Sequence, residues 1–356
     1  MEKIKKNNFL KFYKDKKILI TGHTGFIGSW MVFYFLNLGS KIYGISNNRS
    51  NKNNIFNILK LKKKIRHFEF NLINKKKISE VLKNKFDVII HLAAKPLVIE
   101  GYLKPEEYIS NNVLSTLNII SSAKSAGLFL NFTTDKVYKN NNKKKHWFSE
   151  TDALGGEDPY SYSKTCADLL TKVWSNLNKN KNTKYCNVRS GNIIGGGDWN
   201  KNRIITDIVK LVFNNKKIKI RNPESTRPWM HVIEVCVCIS ILIERILKKK
   251  TKYSEWNIGP NKNNEKNVQW LINNSLKLFP KKKGRKYFIV SKSKKFKEKS
   301  YLRLNNDKIK KFINYKFKLK PIDRLALTLE WYKEFYSNKK NIYSLMNKQI
   351  KIVEKN

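Results

Sequence analysis

The chain has 356 residues, with 74 Lys and Arg against 27 Asp and Glu and a formal net charge of +47. That length suits one large α/β domain or two smaller ones sharing a core, and no apolar run approaches the roughly 20 residues that cross a bilayer. The basic start of the chain lacks the apolar stretch of a secretory signal, and Cys166, Cys186, Cys236 and Cys238 show neither CxxC pairing nor zinc-like His spacing. A cytoplasmic protein with buried, reduced cysteines and no metal is expected. In chain order, residues 17–21 read as an apolar strand that runs into a glycine turn and then a helix over 26–38, ended by Gly39. A strand at 41–46 and an Asn/Lys-rich loop with a short helix at 47–64 follow. Further strands are predicted at 67–70, 87–91, 128–133 and 185–189, with helices at 75–84, 105–126 and 159–176 between them.

This alternation predicts an α/β fold with a Rossmann-like, doubly wound parallel sheet and helices on both faces. After Arg189 the rhythm loosens into loops rich in Gly, Pro and Trp, which reads as a smaller C-terminal substrate-binding α/β domain. The expected division is a cofactor domain at 14–189 plus about 233–258, a substrate domain at 190–232 and about 259–335, and a polar, loosely docked tail at 336–356. No internal repeat is present.

The first motif is Gly22-x-x-Gly25-x-x-Gly28, between a strand and a helix whose first residues are Phe26 and Ile27. Such glycines let the backbone turn tightly and approach a pyrophosphate, which rests on the amides of the helix N-terminus. The acid that usually holds the adenosine ribose after the second strand is missing. Ser46-Asn47-Asn48-Arg49 stands there, and because an Arg can accept a 2′-phosphate, the residues leave NAD and NADP both open. Asn71, after the third strand, reads as a partner for the adenine edge or as an ordinary turn residue. Leu92, Ala93 and Ala94 follow the fourth strand and leave room for a cofactor at the sheet's carboxyl edge. Asn112 and Thr133 are assigned to the cofactor side with them.

The chemistry is carried by Thr134, Tyr160 and Lys164. Tyr160 and Lys164 share one helix face at i, i+4, so an ammonium can lie beneath the phenol and lower its proton affinity. That makes Tyr160 a candidate base for a sugar hydroxyl, with Thr134 bonding the same hydroxyl. Tyr162 also precedes Lys164, but at i, i+2 it points elsewhere. Asp135 and Lys136 are an acid/base pair that plain hydride transfer does not require; the alternative is two solvated charges at a strand end.

The charge invites a nucleic-acid reading. The 74 basic residues are 64 Lys and only 10 Arg, scattered in loops such as 62–64, 143–145 and 281–283, with no nucleic-acid module. A chain that grips phosphates or base edges is expected to favour Arg for its bidentate fork. A biased supply of Lys, Asn and Ile explains the composition more simply, and a general pull on anionic substrates follows from the field.

The segment 21–30, Thr-Gly-His-Thr-Gly-Phe-Ile-Gly-Ser-Trp, resembles the opening of the extended short-chain dehydrogenase/reductase superfamily and, within it, the CDP-glucose 4,6-dehydratase family. Further blocks resemble the same family at 93–98, 133–138, 155–161, 188–199 (ending Gly-Gly-Gly-Asp-Trp), 220–223, 227–232 (Arg-Pro-Trp-Met-His-Val), 256–260 and 330–332, together spanning about residues 14 to 335. The resemblance implies a lyase with NAD bound throughout. Tyr160, helped by Thr134 and Lys164, would take the proton of the glucose 4-hydroxyl as hydride leaves C4. Asp135 would protonate the departing 6-hydroxyl, and hydride would return at C6. The product would be CDP-4-keto-6-deoxyglucose, a precursor of deoxysugars in surface polysaccharides such as lipopolysaccharide O-antigen. Related dTDP-glucose dehydratases carry Asp-Glu where this chain has Asp135-Lys136, which leaves the C5 base open. It also implies a homodimer through helices 105–126 and 159–176.

Four of the ten arginines (Arg189, Arg203, Arg221, Arg227) fall in second-domain blocks, where a fork suits a diphosphate or base edge. Arg203 and Arg227, with Arg221, Asn192 and His231, are the expected substrate contacts; structural ion pairing is the alternative. Two other functions compete. A nucleotide-sugar 4-epimerase would share Tyr160, Lys164 and the glycine turn without needing Asp135 and Lys136. A nucleic-acid-binding Rossmann protein would use the charge.

Overall fold

The computed structural model describes residues 3–47, 51–141, 146–178, 182–214, 216–262, 264–279, 288–290 and 301–355. Six strands come first: β1 (Lys17–Thr21), β2 (Lys41–Ser46), β3 (Arg66–Glu69), β4 (Val88–His91), β5 (Leu128–Thr134) and β6 (Lys184–Ser190). Short strands β7 (Ile193–Ile194), β8 (Ile218–Ile220), β9 (Thr226–Arg227) and β10 (Met230–His231) precede β11 (Tyr253–Ile258), and β12 (Lys266–Asn267) and β13 (Phe288–Val290) follow it. One seven-stranded sheet runs β11-β6-β5-β4-β1-β2-β3, parallel throughout. The short strands pair as β10 with β7, β12 with β9 and β13 with β8.

Helices cover both faces, which is why β1, β4 and β5 carry buried residues at successive positions rather than alternating ones. They are α1 (Lys3–Tyr13), α2 (Phe26–Asn37), α3 (Ile55–Ile58), α4 (Lys75–Val81), α5 (Val98–Leu103), α6 (Pro105–Ser122), α7 (Pro159–Leu177), α8 (Ile204–Asn214), α9 (Val232–Lys248), α10 (Val268–Leu278), α11 (Asp307–Ile313), α12 (Pro321–Ser337) and α13 (Ile342–Lys355). The predicted strands and helices up to Arg189 are all present, with ends moved by a few residues. No helix among the described residues is long and apolar enough to cross a membrane. Cys186, Cys236 and Cys238 are buried and Cys166 is half-buried, all unpaired.

Both ends of the chain depart from expectation. α1, which has no counterpart in the prediction, docks through buried Phe9 and Tyr13, whose hydroxyl donates to the Ser240 oxygen. The tail is no loose appendage: α13 buries Ile342, Met346, Ile350 and Val353, and Gln349 Nε2 donates to Leu327 O at 2.9 Å.

The Gly-Gly-Gly-Asp-Trp block is a packing joint. A Cβ on Gly196 would stand 1.9 Å from Trp331 Cγ, so only glycine lets α12 approach there. Trp30 Nε1 donates to Gly196 O at 2.9 Å, and the Tyr332 hydroxyl donates to Asp198 O at 2.7 Å. A buried, bidentate ion pair (Arg324 Nε and Nη2 to Glu234 at 2.7 and 2.9 Å) ties α12 to α9. One apolar core therefore runs through both halves, from Phe35 and Val188 to Trp229, Leu271 and Leu329.

Candidate active site

Gly22 turns the chain at the end of β1 with φ +72°, and its N–H donates to Ile45 O at 2.8 Å. A Cβ there would lie 2.9 Å from the Ala93 backbone, and one on Gly28 would lie 2.3 Å from Gly22 O. The first turn of α2 thus sits directly on the loop. Gly25 caps α2 without a side-chain bond, so the leading amides at Phe26, Ile27 and Gly28 have no intrahelical acceptor and point at an anion site.

Across this turn, Leu92 N donates to Thr21 O and Ala93 N to the Thr21 hydroxyl, each at 3.2 Å. His91 bonds Thr21 through Nδ1 (2.8 Å) and Thr116 through Nε2 (3.1 Å), and burial lowers its pKa to about 3, so it stays neutral. The half-buried Leu92, Ala93 and Ala94 line the opening as expected. At the end of β2, Ser46 Oγ is buried without a partner among the described residues, beside the position where an adenosine ribose lies in such folds, and the His23 ring packs over Gly44 of the same strand. His23 Nε2 bonds His67 Nδ1 at 2.7 Å, a pair the sequence reading missed; the His inside the glycine turn was the available signal. Arg49 lies outside the described residues, as do 143–145 and 281–283.

Three residues expected on the cofactor are positioned otherwise. Asn71 is exposed, and its Oδ1 accepts from Ile73 N at 3.0 Å, the bond of a turn asparagine. Asn112 is saturated by Lys95 N (2.8 Å), Lys95 O (3.2 Å) and Ser163 Oγ (2.9 Å), so it pins the loop after Ala94. Thr133 donates to Asp168 Oδ2 at 3.0 Å, on the side of β5 away from Thr134.

The reactive group gathers at the carboxyl end of β5. Thr134 Oγ1 donates to Asp135 Oδ1 at 3.0 Å and accepts from Lys136 N at 3.3 Å, closing a short 3-10 turn. Asp135 is buried, and its Oδ2 has no partner. Gly191 faces that oxygen, where a Cβ would sit 3.4 Å away. Burial raises the Asp135 pKa, opposed by Lys136, Thr134 and Arg227. Lys136 is half-buried beside it.

Tyr160 opens α7, whose start is set by Pro159 and by Asp158 accepting from Ser161 N at 3.0 Å. Its phenol bonds Thr134; burial pushes its pKa up to about 12, and Arg203 is the cation that pulls it back. Lys164 is buried, donates from Nζ to Phe132 O at 2.8 Å, and has a pKa lowered to about 8 by burial, with Asp168 opposing. Tyr162 points to solvent at 52% exposure.

Two of the four arginines reach this group. Arg203, just before α8, acts on Tyr160, and the buried Arg227 on β9 acts on Asp135. Asn192 is half-buried after β6, its carbonyl accepting from Met230 N at 2.9 Å. Arg221 is exposed. His231 is not brought to the site: fully buried, it caps α9 through Nδ1 to Ile233 N (3.4 Å), and burial lowers its pKa to about 3. Arg189 is a structural ion pair, with Nε and Nη2 clamping Asp168 at 3.0 and 2.8 Å.

The glycine cradle that any Cβ would fill, the free helix amides and the Ser46 hydroxyl at its far end fit a dinucleotide. Comparison with known proteins agrees. Residues 18–259 match the model of the NAD dependent epimerase/dehydratase family. A CDP-glucose 4,6-dehydratase of Salmonella typhimurium is 33% identical over 282 residues, covering 75% of this chain and 77% of that protein. A dTDP-D-glucose 4,6-dehydratase of Dictyostelium discoideum is 29% identical over 261 residues, 68% of this chain and 58% of that one. Among solved structures, a dTDP-glucose 4,6-dehydratase from Bacillus anthracis in complex with NAD superposes with a TM-score of 0.76 at 22% identity, covering 93% of this chain and 99% of that one. An epimerase from Methanothermobacter thermautotrophicus gives 0.81 at 20% identity, covering 94% and 97%. These two likenesses establish the fold.

Proposed function

The chain belongs to the NAD dependent epimerase/dehydratase family, as a hydro-lyase with NAD as its cofactor, and we propose that it converts CDP-glucose to CDP-4-keto-6-deoxyglucose and water. The observation that carries this reading is the buried Asp135 carboxyl, held by Thr134 on one oxygen and without a partner on the other, beside Tyr160. An epimerase, which loses no water, needs no second acid group at that point.

Bound NAD supplies the acceptor for hydride from C4 and its return to C6. Tyr160 takes the 4-hydroxyl proton, with Thr134 bonding the same oxygen, Arg203 stabilising the phenolate and Lys164 one helical turn away. The C4 ketone acidifies the C5 proton. Asp135, whose hold on its proton burial strengthens, gives that proton to the 6-hydroxyl as it leaves as water. We assign the C5 proton to Lys136, half-buried beside Asp135, which takes it as water leaves and returns it to C5 as hydride reaches C6. Arg227 and Arg203 hold the diphosphate or sugar with forks that Lys replaces poorly, with Asn192 at the mouth; Arg221 is exposed and belongs to the rim.

We assign the assembly to a homodimer through α6 and α7, which pack on one another and leave an apolar stripe in solvent: Tyr162, Leu169, Val173 and Leu177 at 52, 45, 52 and 70% exposure. The cytoplasm, where nucleotide sugars feed polysaccharide synthesis, is the proposed compartment. Incubation with CDP-, dTDP-, UDP- and GDP-glucose tests the substrate. The expected result is a 4-keto product lighter by one water from CDP-glucose; a C4-inverted sugar of unchanged mass would overturn the reading.

A further inference from the structure

Lys164 is followed one helical turn later by Asp168, and both side chains turn inward under β5. Lys164 Nζ donates to Phe132 O at 2.8 Å, and Asp168 Oδ2 accepts from the next residue along the strand, Thr133 Oγ1, at 3.0 Å. Asp168 is 1% exposed and its carboxylate is fully engaged: Arg189 Nε and Nη2 clamp it at 3.0 and 2.8 Å, and Asn187 Nδ2 adds a bond to Oδ1 at 3.0 Å. Arg189 is held in turn by the Tyr138 hydroxyl (3.1 Å) and Glu150 O (3.2 Å). Tyr160, Lys164 and Asp168 therefore lie on one face of α7 at i, i+4 and i+8, with the last of the three locked in place by a second strand.

We infer that Asp168, clamped by Arg189, is a positioning residue that keeps the Lys164 side chain under β5 in its charged form, one helical turn from Tyr160. The inference rests on reading Tyr160 and Lys164 as the hydride-transfer pair. The surroundings of Lys164 leave this task to Asp168. From β5 it receives a carbonyl. From β4 it faces His91, which is neutral, and from its own helix Tyr160 and Asp168; β6 contributes Arg189 through Asp168. Among the described residues, Asp168 is the anion that acts on Lys164, against burial that favours the uncharged amine. A carboxylate saturated by fixed donors cannot wander toward Lys164 as a direct ion pair; it acts as a fixed charge one turn away.

The test measures NAD affinity by quenching of protein fluorescence from about pH 7 to about pH 10, together with kcat and KM. Tyr160 and Lys164 are also read as cofactor contacts, so affinity should fall along an alkaline limb as Lys164 loses its proton. Asp168→Asn removes the anion and should move that limb to lower pH by about one unit, with kcat following it and KM for the sugar little changed; Asp168→Glu should restore it. A folded Asp168→Asn protein whose limb does not move overturns the inference. If the single variant fails to fold because Arg189 is left unpaired, Asp168→Asn/Arg189→Gln is compared with Arg189→Gln alone; its limb should lie at lower pH than that of the Arg189 variant, and coincident limbs overturn the inference. The cofactor limb reads Lys164 whichever sugar is the substrate, so a failed CDP-glucose assignment and a failed role for Asp168 are told apart.

Discussion

Arg203, ahead of α8, is the cation that lowers the proton affinity of Tyr160, while the Lys164 ammonium four residues along α7 is bonded to Phe132 O at 2.8 Å. The sequence placed Lys164 beneath the phenol by helical spacing alone. In the folded chain an arginine from the second half shares that task, so the acidity of Tyr160 depends on the two halves being together.

Replacing Arg203 with Gln should therefore shift a pH profile as well as weaken binding. Without the guanidinium the phenol holds its proton to higher pH. The acid limb of kcat/KM is expected to move up by roughly 0.5–1 unit, measured as initial rates across pH with saturating NAD. An unmoved limb with only KM raised would reduce Arg203 to a substrate contact.

Tyr160→Phe removes the base and keeps the ring. Substrate should still bind, but the transient absorbance of reduced cofactor should vanish, with turnover down by roughly 10²–10⁴-fold. Circular dichroism melting should stay near the parent value, because the hydroxyl contributes to the reaction rather than to the core.

Asp135→Asn separates the two stages. Reduced cofactor should still form and then accumulate, since oxidation at C4 proceeds while water loss slows. Normal turnover would remove the acid role. Stability should move the other way from activity. Burial raises the folded pKa of Asp135 above its unfolded value, so its neutral form favours the fold; that contribution is complete below about pH 4 and is lost as pH rises through the folded value. The Asn variant, neutral at every pH, should melt roughly 2–4 °C above the parent near about pH 7.5 and match it near about pH 4.

Val173→Glu together with Leu177→Glu places charges on the exposed apolar stripe of α7. Light scattering should report a dimer for the parent at micromolar concentration and a monomer for the variant. A parent that is itself monomeric would dismiss this face as the interface.

The first half of the molecule was legible because each element carries its own signal: apolar runs for the strands, Gly22 and Gly28 for the turn, Pro159 for the start of α7. Tyr160, Thr134, Asp135 and Lys136 were found for the same reason, lying at strand and helix ends that local pattern fixes. What the pattern could not give was the direction of a side chain inside a crowded core. Asn112 and Thr133 sit at the right elements, yet their polar atoms are claimed by Lys95, Ser163 and Asp168. His231 stands in a motif with Arg227 but turns inward to cap α9. Arg189 and Arg227 look alike in sequence; only the fold sets one against Asp168 and the other against Asp135.

The contact between Gly196 and Trp331 also fixes an order of assembly. On the ribosome, β1 to β6 emerge and can begin to pair well before α12 is made. The trough beside Gly196 then stays open, its apolar walls in water, until Trp331 arrives from far down the chain. A chain cut before α12 should therefore keep the glycine cradle yet expose that trough and aggregate.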